Sequence, residues 1–305
     1  MRARTTLPFL AAALLAGCLP DPGDPASLVL GPRVLAVRAD PPEALPGADV
    51  AYEALVITGD GERSNARVRW AFCASPKPLT EPNSVSSACL GDAGVRPIAG
   101  DGPSVTATTP VDACALFGPD TPPGNFRPRD PDVTGGFYQP VRVEAMGLVA
   151  FDRERIACNL SNAPIDAAIE LQKRYRKNKN PALSTLLARV DDSPLSLEHV
   201  PTGAHVRFEV GWGNADAELY PIFDLGSQTI VDRRESLRVA WFTTAGNLAA
   251  EVTGRDDGDL AISTMNGWDA PTTPGNVKLW LVLRDSRGGV DFAGYEVHVE
   301  PAPVR

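Results

Sequence analysis

Val277-Lys278-Leu279-Trp280-Leu281-Val282-Leu283-Arg284 is followed by Asp285-Ser286-Arg287-Gly288-Gly289 and then by the run Val290 to Val299. Side chains of an extended chain alternate sides, so Val277, Leu279, Leu281 and Leu283 share one face, and Lys278, Trp280 and Arg284 share the other. Asp285 to Gly289 reads as a glycine-containing turn, and the returning run puts Tyr295, Val297 and Val299 on one side. Two alternating runs about a turn make a β-hairpin.

The same period recurs outward from this hairpin. Val206, Phe208, Val210 and Trp212 alternate with His205, Arg207 and Glu209 after a Thr202-Gly203 turn, and Leu237, Val239 and Trp241 alternate with Arg238 and Ala240. In the first half, Val50, Tyr52, Ala54 and Val56 alternate with Ala51, Glu53 and Leu55 after Pro46-Gly47. Val68, Trp70 and Phe72 then alternate with Arg69 and Ala71, and Val141, Val143 and Ala145 with Arg142 and Glu144. Arg33 to Arg38 reads as an earlier strand, ended by Pro41-Pro42 because proline cannot donate to a ladder. Apolar-in, polar-out alternation marks half-buried antiparallel strands. Each half has a strand centred on a tryptophan, Trp70 or Trp241, and a core-filling tryptophan is a feature of immunoglobulin-like folds. The pattern predicts an all-β chain: two immunoglobulin-like β-sandwich domains joined by a short helix, with a long disulfide-pinned loop region in the first.

That loop region is Ser75 to Pro140, where apolar islands lack a sustained period and Val105 to Thr108 is the one strand expected. So long a loop needs pinning. Cys73, Cys89, Cys114 and Cys158 border or lie within it, and an even count in an exported chain reads as two disulfides. Four cysteines allow three pairings, and sequence alone does not choose. Linking near neighbours pairs Cys73 with Cys89 and Cys114 with Cys158. No CxxC spacing and no histidine near a cysteine supports the zinc alternative. Pro164 to Lys177 is the one good helix, with Ser161 or Asn162 to cap it and Ile165, Ala168, Ile169 and Gln172 on one face. Lys173, Arg174, Arg176 and Lys177 crowd its last turn, where the helix dipole favours cations.

The amino terminus carries an address. Arg2 and Arg4 precede an uncharged apolar run from Leu7 to Ala16, which is too short to span a bilayer and reads as a secretory signal peptide. Leu15-Ala16-Gly17-Cys18 resembles the lipobox of bacterial lipoproteins. The resemblance implies cleavage before Cys18 and a diacylglyceryl thioether on its sulfur. Two or more acyl chains anchor a protein stably where one does not. Leu19 after the cysteine leans toward the outer membrane. Pro20 to Ser27 reads as an extended tether, and ten such residues reach on the order of 35 Å. The expected division is signal peptide 1–17, lipidated tether 18–30, first sandwich 31–160, helical linker 161–180 and second sandwich 181–305.

Arg234-Glu235-Ser236-Leu237-Arg238-Val239-Ala240-Trp241-Phe242 is similar to a segment found in uncharacterised bacterial envelope lipoproteins, as are Leu279 to Val290 and the opening Pro32-Arg33-Val34-Leu35-Ala36-Val37. The resemblance implies immunoglobulin-like domains behind a lipid anchor and supplies no activity.

The formal charge of −9 falls to −11 once Arg2 and Arg4 are removed, which argues against nucleic acid and against an anionic lipid surface. There is no GxSxG elbow, HExxH, GxGxxG or P-loop. His199, His205 and His298 are scattered, and the latter two sit at solvent-facing strand positions. Asp256, Asp257 and Asp259, around Gly258, are the best calcium candidate, because calcium takes several hard oxygens. Asp130 and Asp132 with Gly135-Gly136 are a weaker one. Trp212, Trp268 and Trp280 could form a sugar platform, although Trp280 is as well explained by burial between sheet and helix. The expected function is a lipid-anchored, non-enzymatic binding or scaffolding protein of the cell envelope, meeting an envelope protein or glycan. The alternative is an envelope hydrolase or carbohydrate-active enzyme with an unrecognised site.

Overall fold

The computed structural model describes residues 23–77, 81, 84–116, 135–160 and 163–302. The alternating segments become paired strands. In the first half they are β1 (Arg33–Asp40), β2 (Glu43–Ala44), β3 (Asp49–Ile57), β4 (Val68–Cys73), β5 (Val95–Ile98), β6 (Ser104–Thr108), β7 (Gly136–Ala145) and β8 (Leu148–Ala157). They form a three-stranded sheet, β1-β3-β6, and a five-stranded sheet, β2-β8-β7-β4-β5. In the second half come β9 (Leu187–Val190), β10 (Ser193–Pro194), β11 (Val200–Pro201), β12 (His205–Gly211), β13 (Leu219–Asp224), β14 (Thr229–Arg234), β15 (Leu237–Thr243), β16 (Asn247–Leu248), β17 (Val252–Arg255), β18 (Ser263–Asp269), β19 (Gly275–Asp285) and β20 (Val290–Glu300). Their sheets run β10-β9-β12-β18-β16 and β11-β20-β19-β15-β17, with β13-β14 as a separate hairpin.

The two halves share one wiring. The ladder β1-β3-β6 corresponds to β9-β12-β18, and β2-β8-β7-β4-β5 to β11-β20-β19-β15-β17. In each half a two-residue strand pairs in parallel with the last strand while the other ladders are antiparallel. This is an immunoglobulin-like sandwich, twice. Trp70 and Trp241 lie in corresponding strands, β4 and β15. Each is buried and hands its indole N–H to a partner, the Gly102 carbonyl at 2.9 Å and the Thr253 hydroxyl at 2.9 Å. Around them pack Tyr52 and Phe72 in one core, and Phe208 and Trp268 in the other.

Between the sandwiches lies a third apolar layer. The face of β3 opposite Tyr52 carries Leu55 and Ile57, both at 0% exposure. With Val29, Leu35 and Ala36 they meet Val282 and Val290 of the second half, flanked by Ala240, Phe242, Trp280 and Phe292. The four sheets therefore stack in one pile with three dry layers between them. Trp280 is the peg of the middle layer. Its ring lies on its cross-strand partner Gly294, where a Cβ would come within 2.6 Å of the ring. Its N–H donates to the Gly61 carbonyl at 2.8 Å. Gly61 has φ +82, and a Cβ there would meet Thr244 at 2.4 Å, so only glycine fits. Trp280 is thus half-buried against the first sandwich, and not between sheet and helix as its place in the sequence suggests.

Three other expectations change. Ser27, Leu28 and Val29 are not free tether: Val29 donates to the Thr243 carbonyl at 2.8 Å, and Thr243 donates to the Ser27 carbonyl at 2.8 Å. The region Ser75 to Pro140 is more structured than a loop, holding β5, β6 and the short helix α1 (Ala113–Leu116) among its described residues. Cys73 at the end of β4 bonds to Cys89, and Cys114 of α1 bonds to Cys158 just beyond β8. The helix α2 spans Ile165–Arg174 with Pro164 at its N-cap, while Ser161 and Asn162 fall outside the described residues. It buries Ala167 and Leu171 and leaves Ile165 at 76% and Ile169 at 43% exposure, the reverse of the expected face. The reason is its partner: α2 packs on the β13-β14 hairpin, whose strands carry no clear period in the sequence.

Replacing Trp241 by alanine should cost about 3–5 kcal/mol, read from the urea midpoint. Leu55→Ala should cost about 2–5 kcal/mol although it belongs to neither sandwich core, and an unchanged midpoint would mean that the middle layer contributes nothing.

Candidate functional site

Among the described residues, buried charge is concentrated where the two sandwiches, α2 and the β13-β14 hairpin meet. It is built from the β19-β20 turn. Asp285 accepts the N–H groups of Arg287 and Gly289 at 2.8 Å each, and the Asn178 amide at 3.0 and 3.2 Å. A Cβ on Gly289 would fall 2.1 Å from the Asp285 carboxylate, so the tight turn needs glycine. The turn aims Arg287 inward. Its Nε donates to Glu235, Nη2 to Glu218 at 2.6 Å, and Nη1 to the Tyr175 hydroxyl at 3.2 Å and the Arg176 carbonyl at 3.0 Å. The guanidinium also lies 4.6 Å from the centre of the Tyr220 ring. Glu43 enters from β2 of the first sandwich. It accepts the Tyr175 hydroxyl and the Asn178 N–H at 2.9 Å each, and pairs with Arg155 at 3.5 Å.

Glu43, Glu218, Glu235 and Asp285 face two guanidiniums, those of Arg155 and Arg287. Burial first, and the Asp285 charge second, push Glu235 up to about 8 against the pull of Arg287. Burial likewise raises Asp285. Burial works against the Arg287 charge, but Glu235 and Tyr175 hold the guanidinium protonated more firmly than usual. Tyr175 is pushed up to about 12, mainly by burial. An acid-rich cluster of this kind binds protons as a unit. A second buried carboxyl, Glu154 of β8, accepts the Tyr52 hydroxyl inside the first sandwich and is pushed up to about 8 by burial. Raised carboxyls suit a general acid, but at 0% and 1% exposure Glu235 and Glu154 do not meet substrate from solvent.

The sequence candidates fare differently. Cys18, Asp130 and Asp132 lie outside the described residues. Asp256, Asp257 and Asp259 are not brought together as a ligand set. Asp256 pairs with Arg238, Asp257 stands 4.0 Å from Arg233, and Asp259 accepts the Ala261 N–H at 2.9 Å. Among the described residues no group of three histidine, cysteine or acidic side chains is placed to hold a metal. Trp212 at 4% and Trp268 at 1% exposure are core residues, so the sugar platform is withdrawn. His205 and His298 do face solvent, against Asp269 and Asn276. The basic end of α2 is occupied internally, with Arg174 on Glu170 and Asp232 and Arg176 on its own helix carbonyls. Two of the depressions among the described residues bear on function. One of about 680 Å³ lies between α2 and the first sandwich, beside Leu45, Pro46, Ile165 and Ile169. The other, about 560 Å³, opens on the outer face of β9-β12-β18, where Gly267 leaves a notch among Arg189, His205, Arg207 and Met265.

No family model matches the chain, and no curated protein sequence matches it. Among solved structures, it is similar to an adhesin of Yersinia pseudotuberculosis, InvE, at 9% identity and TM-score 0.22, over 86% of this chain and 58% of that one. Domains 4–9 of the surface-layer protein SbsC align at 9% identity and TM-score 0.20, over 89% and 32%. A red sea bream transglutaminase aligns at 11% identity and TM-score 0.25, over 89% and 31%. The chain thus spans less than two thirds of each of these structures. Likeness at this level carries no argument about function.

Removing Arg287 would leave several buried carboxyls without their main counter-charge. Arg287→Met should destabilise by about 3–5 kcal/mol, and more at pH 8 than at pH 5, because the stranded carboxylates then need protons. In the native chain, Glu235 and Glu154 have folded pKa values above the usual carboxylate range. The folded state therefore holds protons that the unfolded state releases. Stability from these groups is full below about pH 4.5 and falls as pH rises through about 8. Glu154→Gln should flatten the part of that decline that Glu154 causes, with little cost at pH 7. A melting temperature that rises between pH 5 and 8 would contradict the assignment.

Proposed function

We propose that the protein is a non-enzymatic binding or scaffolding module of the cell envelope, held by acyl chains on Cys18, on the outer membrane. The observation that supports it best is the use made of buried charge. Glu43, Glu218, Glu235, Asp285 and Arg287 bind one another and lock four parts of the chain together. Groups that an enzyme would aim at a substrate are here aimed at the fold itself. What remains for a partner is surface: the loops at the sandwich ends, and the open face of β9-β12-β18 with its arginine-lined notch. Arg207 pairs there with Asp192, and Arg189 donates to the Asp192 carbonyl, so the notch offers guanidiniums and the carboxylates of Asp191 and Asp192 together, a mixed polar lining that suits the hydroxyls of a glycan or the polar groups of a protein. The docking of Ser27 to Val29 on the folded body supports a short connection to a membrane.

Cys18→Ser should move the protein from the membrane fraction to the soluble periplasmic fraction, read by fractionation and immunoblot. A variant that stays with membranes would mean that acylation at Cys18 is not what holds it. Crosslinking in intact envelopes should recover a reproducible protein or glycan partner, and Arg189→Glu with Arg207→Glu should reduce that yield several-fold. Equal yield would clear the open sheet face of this role.

A further inference from the structure

We propose that the end of the molecule from which the N-terminal tether departs lies on the bilayer, with the β7-β8 turn as its lipid-contacting element. The proposal rests on the lipid-anchored reading and adds an orientation to it. The tether is pinned early: Leu28 donates to the Pro25 carbonyl at 2.9 Å, Arg33 donates to the Ala26 carbonyl, and Ser27 to Val29 bond to Thr243. Only the chain from Cys18 to Pro25 is left to span the gap, and fully extended it covers no more than about 25 Å. The folded body cannot stand far off.

The topology states which part of the body is near. Arg33 at the start of β1 pairs with Ile57 at the end of β3. The next strand, β4, starts from that same end at Val68, and Val68 pairs with Ala145, the last residue of β7. The turn that follows, Met146-Gly147, is therefore at the tether end of the first sandwich. It carries a short run of exposed apolar side chains at that end. Met146, Leu148 and Val149 are 43%, 36% and 41% exposed, and Leu30 beside the tether is 61% exposed. Met146 also holds φ +52, a conformation that β-turns ordinarily give to glycine or asparagine. The second sandwich runs the other way, so its β19-β20 turn, the buried charge cluster and the β13-β14 hairpin are at the far end. A net-acidic chain is not drawn to lipid by charge. Contact through apolar side chains at the headgroup boundary, held there by a short anchor, meets that constraint.

The test uses the full-length acylated protein in phosphatidylcholine vesicles that contain lipid brominated near the glycerol end of its chains. Leu148→Trp places a fluorophore at the turn, and Leu225→Trp places one at the exposed tip of the β13-β14 hairpin. Val149→Trp replaces the first probe if that variant does not fold. Flotation on a density gradient reports anchoring separately. The expected result is flotation of both variants, with fractional quenching several-fold greater at position 148 than at 225. Flotation with equal or no quenching at 148 and 149 would overturn the orientation and leave lipid anchoring standing. Failure to float would remove the anchor, and the orientation with it.

Discussion

Leu55 and Ile57 are dry on the side of β3 that a freestanding sandwich would turn to water. That burial is the constraint on which the rest of the structure depends. A strand covered on both faces commits its sheet to two neighbours, so the two halves cannot move independently. The polar contacts along the seam follow from it. Arg38 reaches Asp291 at 3.3 Å, Arg284 reaches the Leu35 carbonyl at 3.1 Å and Asp152 at 3.2 Å, and Lys278 reaches Glu62 at 2.7 Å. Exposed pairs like these are worth little alone. Here they border an apolar layer that already fixes their geometry.

The charge cluster closes one end of that layer. A buried ion pair seldom adds net stability, because desolvation offsets the attraction. Its effect is on choice of arrangement. Arg287 finds its partners only if the β19-β20 turn, the segment after α2 and the flanks of the β13-β14 hairpin all take their places. Any slipped packing would strand carboxyls in a dry interior. The cluster specifies one alignment of elements that the apolar layer alone would hold less selectively.

Much of the fold is legible in the sequence because a half-buried strand writes its burial as a period of two. Val50, Tyr52, Ala54 and Val56, or Leu237, Val239 and Trp241, can be placed in a core on that basis. The same rule hides the middle layer, since Leu55 and Phe242 sit on what alternation labels the outer face. Tyr220, Ile222 and Phe223 of β13 are buried beside α2, and their short run carries no clear period. Missing that hairpin also misassigned the helix: Ile165 and Ile169 look like its core face until its real neighbour is known. The charge cluster was illegible for another reason. Glu43, Tyr175, Glu218, Glu235 and Arg287 are far apart in sequence, and nothing local distinguishes them from solvated residues. One signal was present: Gly288-Gly289 beside two charged residues in a turn marks a place where the backbone must come close to something. The aspartates at 256, 257 and 259 show the opposite error, where neighbours in sequence are held apart by separate partners.

The bridge between Ser27–Val29 and Thr243 has a mechanical side. A pull on the amino terminus is met at Ala26 by the Arg33 side chain of β1 and at Ser27 to Val29 by the end of β15 in the second sandwich, with the middle layer between the two. Load is therefore divided between both halves before any strand of either can peel. The chain resists traction as a bonded laminate does, and not as beads on a string.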